Sequence, residues 1–170
     1  IEFRNVSVKY RNDSEVVLKS ISFLINSSQR IGIIGRTGSG KSSIFLSLLK
    51  IILPFEGNIY IDDIDISTIN SNYLRKKITI IPQEPILFKG NLRYNIDPLK
   101  EHNENRIYEF IKEVNFLNIK YFNESSDIND ILDFEIEENG LNLSFGQKQI
   151  VSIIRGLIRN NNIVIILVII

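Results

Sequence analysis

Apolar and polar positions alternate along the first ten residues. Ile1, Phe3, Val6, Val8 and Tyr10 are separated by polar side chains, with a slip of phase near Asn5. A period of two predicts a half-buried strand. Val16 to Ile25 is a second β-rich run, set off by a polar turn at Arg11–Ser14. Gln29 to Ile34 reads as a short apolar strand leading straight into Gly35. The period then changes. Ile44, Phe45, Leu48, Leu49 and Ile52 recur at helical spacing, and Pro54 lies just past the end. Gly57 to Ile66 returns to strand, a short helix follows near Asn72–Lys77, and Ile78 to Ile81 is a buried-type strand ending at Pro82.

Residues 83–100 hold Pro85, Gly90 and Pro98 and read as an irregular connection. From about Glu104 to Tyr121, the positions Ile107, Phe110, Ile111, Val114, Leu117 and Tyr121 mark an amphipathic helix. Residues 122–139 are acidic and rich in Asn and Ser, which predicts a surface loop. Ile150, Val151, Ile154, Leu157 and Ile158 mark a last helix, and Ile163 to Ile170 a final apolar strand. The order predicts a single α/β domain over 1–170. A β-rich core with the glycine loop takes about 1–83, a helical insertion about 84–145, and a return to the core about 146–170.

Composition narrows this little. Basic and acidic residues are equal in number, at 20 each, so the basic excess usual in a general nucleic-acid binder is missing. There is no Cys, which rules out disulfides and zinc–cysteine sites within the chain. There is no Met either, so Ile1 is not a translation start, and the chain is expected to be an excerpt or a processed form. No run approaches the roughly 20 apolar residues of a membrane span.

Gly35-Arg36-Thr37-Gly38-Ser39-Gly40-Lys41-Ser42 fits the phosphate-binding pattern G-x-x-x-x-G-K-[ST]. The chemistry follows from the residue types. Polyphosphate is dense in negative charge and acceptors, and a glycine loop running into a helix N-terminus offers backbone N–H donors and a favourable dipole. Lys41 would place a cation on the β- and γ-phosphates, and Ser42 would offer its hydroxyl to Mg²⁺. A helix-capping glycine turn is the plain alternative. The expected strand before and helix after favour the phosphate loop. Further on, Leu143-Ser144-Phe145-Gly146-Gln147 places a serine and a glycine at a helix start, a second place able to hold an anion.

Together these two segments resemble the nucleotide-binding domain of an ATP-binding cassette (ABC) transporter. Such a domain has a P-loop NTPase core, an antiparallel β-subdomain and a helical subdomain carrying a signature motif. The resemblance covers nearly the whole chain. Leu87-Phe88-Lys89-Gly90-Asn91-Leu92-Arg93-Tyr94-Asn95-Ile96-Asp97-Pro98, Leu74-Arg75 and Asn139-Gly140-Leu141-Asn142 are similar to the C-type, multidrug-resistance-associated subfamily, and to its second nucleotide-binding domain more than its first.

The resemblance implies ATP and Mg²⁺ as ligands. It places Gly35 to Ser42, together with Ser43, on the phosphates, and Tyr10 as the ring stacked on adenine, although an exposed strand-end tyrosine would look the same in sequence. Gln83, after the strand ending at Ile81, matches a glutamine that ligates Mg²⁺ and touches the attacking water, which leaves Lys41 and Gln83 as the catalytic pair. Ser144, Phe145, Gly146 and Gln147 would contact ATP held by a second such domain, head to tail. The implied partners are that domain and the transmembrane domains of the same transporter, with no nucleic acid. The implied location is the cytosolic face of a membrane.

The chain departs from the family where hydrolysis needs carboxylates, and the resemblance implies a C-terminally incomplete domain. An Asp that helps hold Mg²⁺ and a Glu that acts on the water fall, without gaps, at Leu167 and Val168. Neither side chain has a lone pair. The only histidine, His102, does not match the family's switch histidine and reads as a surface residue. A fragment with a corrupted end, a domain that binds ATP but hydrolyses it poorly, and a register with the motif beyond residue 170 all fit. Gly156 stands where the family favours Ala, at a cost of about 1 kcal/mol in a helix interior. A soluble ABC ATPase of DNA repair is the more distant alternative, because no coiled-coil heptads are sustained between Lys41 and Ser144.

Overall fold

The computed structural model describes residues 1–11, 13–114 and 127–167. It divides into two compact units, Ile1–Ile78 and Thr79–Ile170.

The first unit is built on a four-stranded antiparallel sheet in the order β2-β1-β3-β4. Its strands are β1 (Glu2–Val8), β2 (Leu18–Leu24), β3 (Glu56–Ile61) and β4 (Ile64–Asp65). Phe3, Val6 and Val8 of β1, Leu18 of β2 and Ile59 of β3 are buried. Phe3 also stacks on Phe23 with ring centroids 4.4 Å apart. The phase slip near Asn5 is a bulge. The β1–β2 register shifts between Phe3 and Val6, the β1–β3 register shifts between Arg4 and Ser7, and Asn5 takes a φ of 50°. Its amide is satisfied off the ladder by Ser22 Oγ at 2.8 Å. Opposite the bulge, Gly57 has a φ of +75°, and a Cβ there would sit 2.3 Å from the carbonyl oxygens of Arg4 and Asn5. The bulged backbone therefore occupies the space a side chain would need.

The expected strand over Gly57–Ile66 is a hairpin. β3 and β4 are joined at Asp62 and Asp63, both left-handed, as a two-residue turn of this twist requires. Asp65 then caps a short 3₁₀ turn by accepting from the Ser67 amide at 2.8 Å, and it also accepts from Asn58 Nδ2 at 2.8 Å.

Helix α1 (Lys41–Leu48) follows the glycine loop, and α2 (Ser71–Lys76) begins at Asn70, whose side chain accepts from the amides of Asn72 and Tyr73. Arg75 of α2 donates to the carbonyls of Leu49 and Lys50, at 2.9 Å each. A guanidinium at the end of α1 satisfies carbonyls that the helix leaves open and suits the negative end of its dipole. That is the structural content of the Leu74-Arg75 pair.

The apolar run 29–34 is not a strand. Ile31 and Ile34 are exposed, and among the described residues no strand pairs with the segment. β-branched residues suit a pleated, half-buried surface, but a strand exists only where a neighbour supplies the ladder of hydrogen bonds.

In the second unit, β5 (Ile78–Ile81) pairs with β8 (Ile163–Ile166), and β6 (Gly90–Asn91) pairs antiparallel with β7 (Glu135–Ile136). The helices are α3 (Leu92–Ile96), α4 (Glu104–Glu113), α5 (Ile128–Leu132) and α6 (Phe145–Leu157). Leu92 and Ile96 of α3, Ile107 and Ile111 of α4, and Val151 and Ile154 of α6 meet in one core. The amphipathic helix is seen through Glu113, while Leu117 and Tyr121 lie outside the described residues.

Two stretches expected to be irregular or looped carry short elements. α3 starts where Asn91 caps the Tyr94 amide at 2.9 Å, and α5 where Asp127 caps the Asn129 amide at 2.8 Å. Elements of five residues are too short to show a helical period, so their caps are the only sequence signal. His102 is not a plain surface residue. Its side chain is 20% exposed, and Nδ1 is buried 3.4 Å from Asp97 Oδ2, beyond good hydrogen-bond length. Gly156 lets α6 lie close on β5, since a Cβ would stand 3.1 Å from both Ile81 Cγ1 and Thr79 Cγ2.

Gly57→Ala should lower unfolding free energy by about 2–4 kcal/mol in urea titration, because both φ and the facing carbonyls resist a side chain. The Asp65 carboxyl is held below its usual range, chiefly by the Ser67 amide and also by Asn58. A depressed folded pKa contributes stability that is complete above the unfolded value near 3.9 and is lost as pH falls through the folded value. Asp65→Asn should therefore lose less of its urea midpoint between pH 6 and pH 3 than the parent does.

Candidate functional site

The glycine loop lies wholly in the first unit. Gly35 to Ser39 are exposed, while Gly40 is buried and serves as the N-cap of α1 with φ 90° and ψ 6°. A Cβ on Gly40 would stand 2.9 Å from Leu18 Cδ2 and 3.3 Å from the Val17 carbonyl. The left-handed turn and the close approach to β2 both demand glycine here, and together they set where the loop joins the helix. The loop is tied within itself by the Ser39 amide donating to the Arg36 carbonyl at 3.1 Å.

Lys41 is the first residue of α1, and its ammonium folds back over the loop. Nζ donates to the Gly35 carbonyl and, at 3.0 Å, to that of Arg36. The cation is thus held over the turn that precedes its own helix. Ser42 is exposed, and Ser43 beside it is buried. Tyr10, just after β1, reaches Ser43, with its hydroxyl 3.0 Å from Ser43 Oγ. Tyr10, Lys41, Ser42, Ser43 and the loop Gly35–Gly40 therefore gather at one end of α1. A lysine ammonium, the exposed Ser42 hydroxyl and an exposed ring at the start of a helix can hold a polyanion that carries an aromatic group.

The remaining expected site residues belong to the second unit. Gln83 is half-buried in a bend directly after β5. Ser144 is the N-cap of α6. Its hydroxyl accepts from the Gln147 amide at 3.3 Å, and the Gln147 side chain accepts in return from the Ser144 amide at 2.7 Å. This capping box gives Ser144 and Gln147 a structural duty as well. Phe145 and Gly146 are exposed, and no atom stands within 4 Å of where a Gly146 Cβ would be. The motif thus presents an open helix end.

Among the described residues no three His, Cys, Asp or Glu side chains gather to hold a metal. The oxygen donors expected for one are the Ser42 hydroxyl and the Gln83 amide. Each donor by itself suits a magnesium ion that keeps most of its water and leans on phosphate oxygens, and neither makes an all-protein cage. Leu167, where the resemblance would place an Asp, donates its backbone amide to the Ile81 carbonyl at 3.0 Å. Val168 lies outside the described residues.

Sequence reasoning passed over two residues that shape the second unit's site. Arg155 of α6 donates through Nε to the Asn95 carbonyl at 2.6 Å and through Nη1 to the Ile86 carbonyl at 2.9 Å. Buried Asn95 accepts from the Phe88 amide and donates to the Phe88 carbonyl, both at 2.8 Å. Burial pulls the Arg155 guanidinium down from its ordinary range, yet it stays charged. The pair ties the helix that starts at Ser144 to the segment just after Gln83. Polar residues inside the Leu87–Pro98 run, with no loop reason to be there, were the available signal.

A match to the ABC transporter family covers residues 18–166. The chain belongs to that family. It is 42% identical over 165 residues to ABC transporter C family member 13 of Dictyostelium discoideum, which covers 97% of this chain and 12% of the relative. It is 41% identical over 166 residues to mouse ATP-binding cassette sub-family C member 3, which covers 98% of this chain and 11% of the relative. The chain thus spans about one-eighth of the length of these relatives. A bacterial Atm1-family ABC exporter solved with ATP bound shares the fold with a TM-score of 0.83 and 31% identity, covering 97% of this chain and 28% of that one. The fold is thus the ABC-type ATP-binding fold, a mixed α/β arrangement of antiparallel sheet and helices, and the relatives are C-type transporters.

Replacing Asn95 by Ala should lower unfolding free energy by about 1–3 kcal/mol in urea titration, since the bonds that buried Asn95 makes to the Phe88 amide and carbonyl are both lost. Arg155→Lys should cost about as much, because an ammonium cannot span the Asn95 and Ile86 carbonyls as a fork does.

Proposed function

We propose that this chain is the ATP-binding domain of a C-type ABC exporter. It binds Mg-ATP and closes head to tail on a second such domain, and hydrolysis to ADP and phosphate resets the pair while membrane domains export a solute. The observation that carries the reading is the loop Gly35–Gly40, turned through a left-handed Gly40 into α1, with Lys41 and Tyr10 beside it. Residues 1–83 would supply the phosphate loop and the base-stacking ring, 84–145 the helical subdomain, and 146–170 the return to the core.

In this reading the loop amides and Lys41 take the phosphates. Lys41 exchanges the carbonyls of Gly35 and Arg36 for phosphate oxygens, and a charge-assisted bond to an anion is the stronger one. Ser42 offers its hydroxyl to Mg²⁺. That ion, when bound with the nucleotide, would offset phosphate charge. Gln83 would orient water through an amide that both donates and accepts. Ser144, Phe145, Gly146 and Gln147, open at the start of α6, would meet the nucleotide of the second domain. The exposed apolar side chains Ile86, Phe88, Tyr94 and Leu99 suit a face for the membrane domains, on the cytosolic side of the membrane.

A specific observation favours a second reading for the chemical step. Leu167 and Val168 supply no oxygen where the family places its carboxylates, so this chain would bind ATP and use it to hold a dimer without efficient hydrolysis.

Calorimetric titration with Mg-ATP tests the site. Lys41→Ala should remove measurable binding, and unchanged binding would sink the phosphate-loop assignment. Ser144→Arg should leave the monomer's affinity alone while abolishing ATP-dependent dimers on a sizing column. Phosphate release measured alongside separates the two readings: turnover by the parent chain supports hydrolysis, and binding without turnover supports the second.

A further inference from the structure

We propose that the Tyr10 hydroxyl is a positioning group, which by bonding Ser43 Oγ holds the exposed ring in the orientation that receives the base. The inference rests on the nucleotide reading above and deepens it. Tyr10 is 53% exposed, and among the described residues its ring makes no aromatic or cation–π contact. Its hydroxyl, 3.0 Å from Ser43 Oγ, is its link to α1.

The other end of that link is rigid. Ser43 is 2% exposed and sits in the first turn of α1. Its amide donates to the Gly40 carbonyl at 3.0 Å, and its own carbonyl accepts from Ser47 Oγ at 2.7 Å. One hydrogen bond therefore joins a fixed point beside the phosphate loop to a ring that little else orients. An exposed side chain must surrender rotamer freedom to stack on a ligand, and a bond already made in the free protein removes part of that loss. Phenylalanine would offer the same face to a base without the anchor.

The test compares ATP with inorganic triphosphate, which lacks the base, at fixed Mg²⁺. Against the parent chain, Tyr10→Phe should weaken ATP by about five-fold, the cost of ordering one free side chain on binding, and triphosphate by less than about two-fold. Adding Tyr10→Phe to Ser43→Ala should weaken ATP no further than Ser43→Ala alone, because the two changes remove one shared bond. Equal ATP affinity for the parent and Tyr10→Phe, equal losses for both ligands, or additive losses in the double variant would overturn the positioning role and leave ATP binding standing. No saturable ATP binding by the parent would overturn the nucleotide reading, and this inference with it.

Discussion

The glycine at position 40 constrains everything built around the loop. Its left-handed backbone turns the chain from the loop into α1, and its missing side chain lets that turn rest on Leu18 and Val17. Any other residue would meet both a strained φ and a steric clash. Because the turn is seated on β2, α1 starts at a fixed place relative to the sheet. Lys41, Ser42 and Ser43 inherit that place as the first three residues of the helix. Tyr10, just past the end of the neighbouring strand β1, can then reach Ser43. The candidate site is a consequence of one backbone conformation held against one sheet.

The second unit is organised differently. Its core is a set of apolar faces from short helices, and several of them are too brief to hold shape alone. Arg155 and Asn95 supply what propensity does not. A forked cation spanning two carbonyls and an amide copying a strand's bonding pattern pin the 86–95 segment onto α6. The same helix begins at Ser144, so the open end of the signature motif stands on an element braced near its other end. Buried polar groups of this kind are costly when half-satisfied and rigidifying when complete.

Much of the fold was legible. The alternation in residues 1–10 marked β1, and its slip at Asn5 marked the bulge. The periodicity of Ile107 and Ile111 marked α4, and Ile150 to Ile158 marked α6. The stretch 29–34 was misread because β-branched composition describes a side-chain surface and says nothing of a neighbouring ladder. The elements at 90–96 and 128–136 were missed because two and five residues carry no period, only caps. His102 reads as a surface residue because it matches no family position, whereas the backbone amides of Glu101 and His102 both donate to Asp97 and its Nδ1 is buried near that carboxylate.

The sequence by itself determined the chemistry on offer: a glycine-rich loop with Lys41 and Ser42, a serine–glycine helix start at 144–147, and apolar side chains at 167 and 168. These depend on residue type and spacing, which covalent structure carries. The tertiary structure alone decided that the Tyr10 hydroxyl meets Ser43, that Lys41 bends onto its own loop, and that Arg155 braces the segment after Gln83. Those contacts join residues 5 to 69 positions apart. Whether they meet depends on how strands and helices pack, because a local pattern records what a side chain can bond and not which distant partner the fold will bring to it.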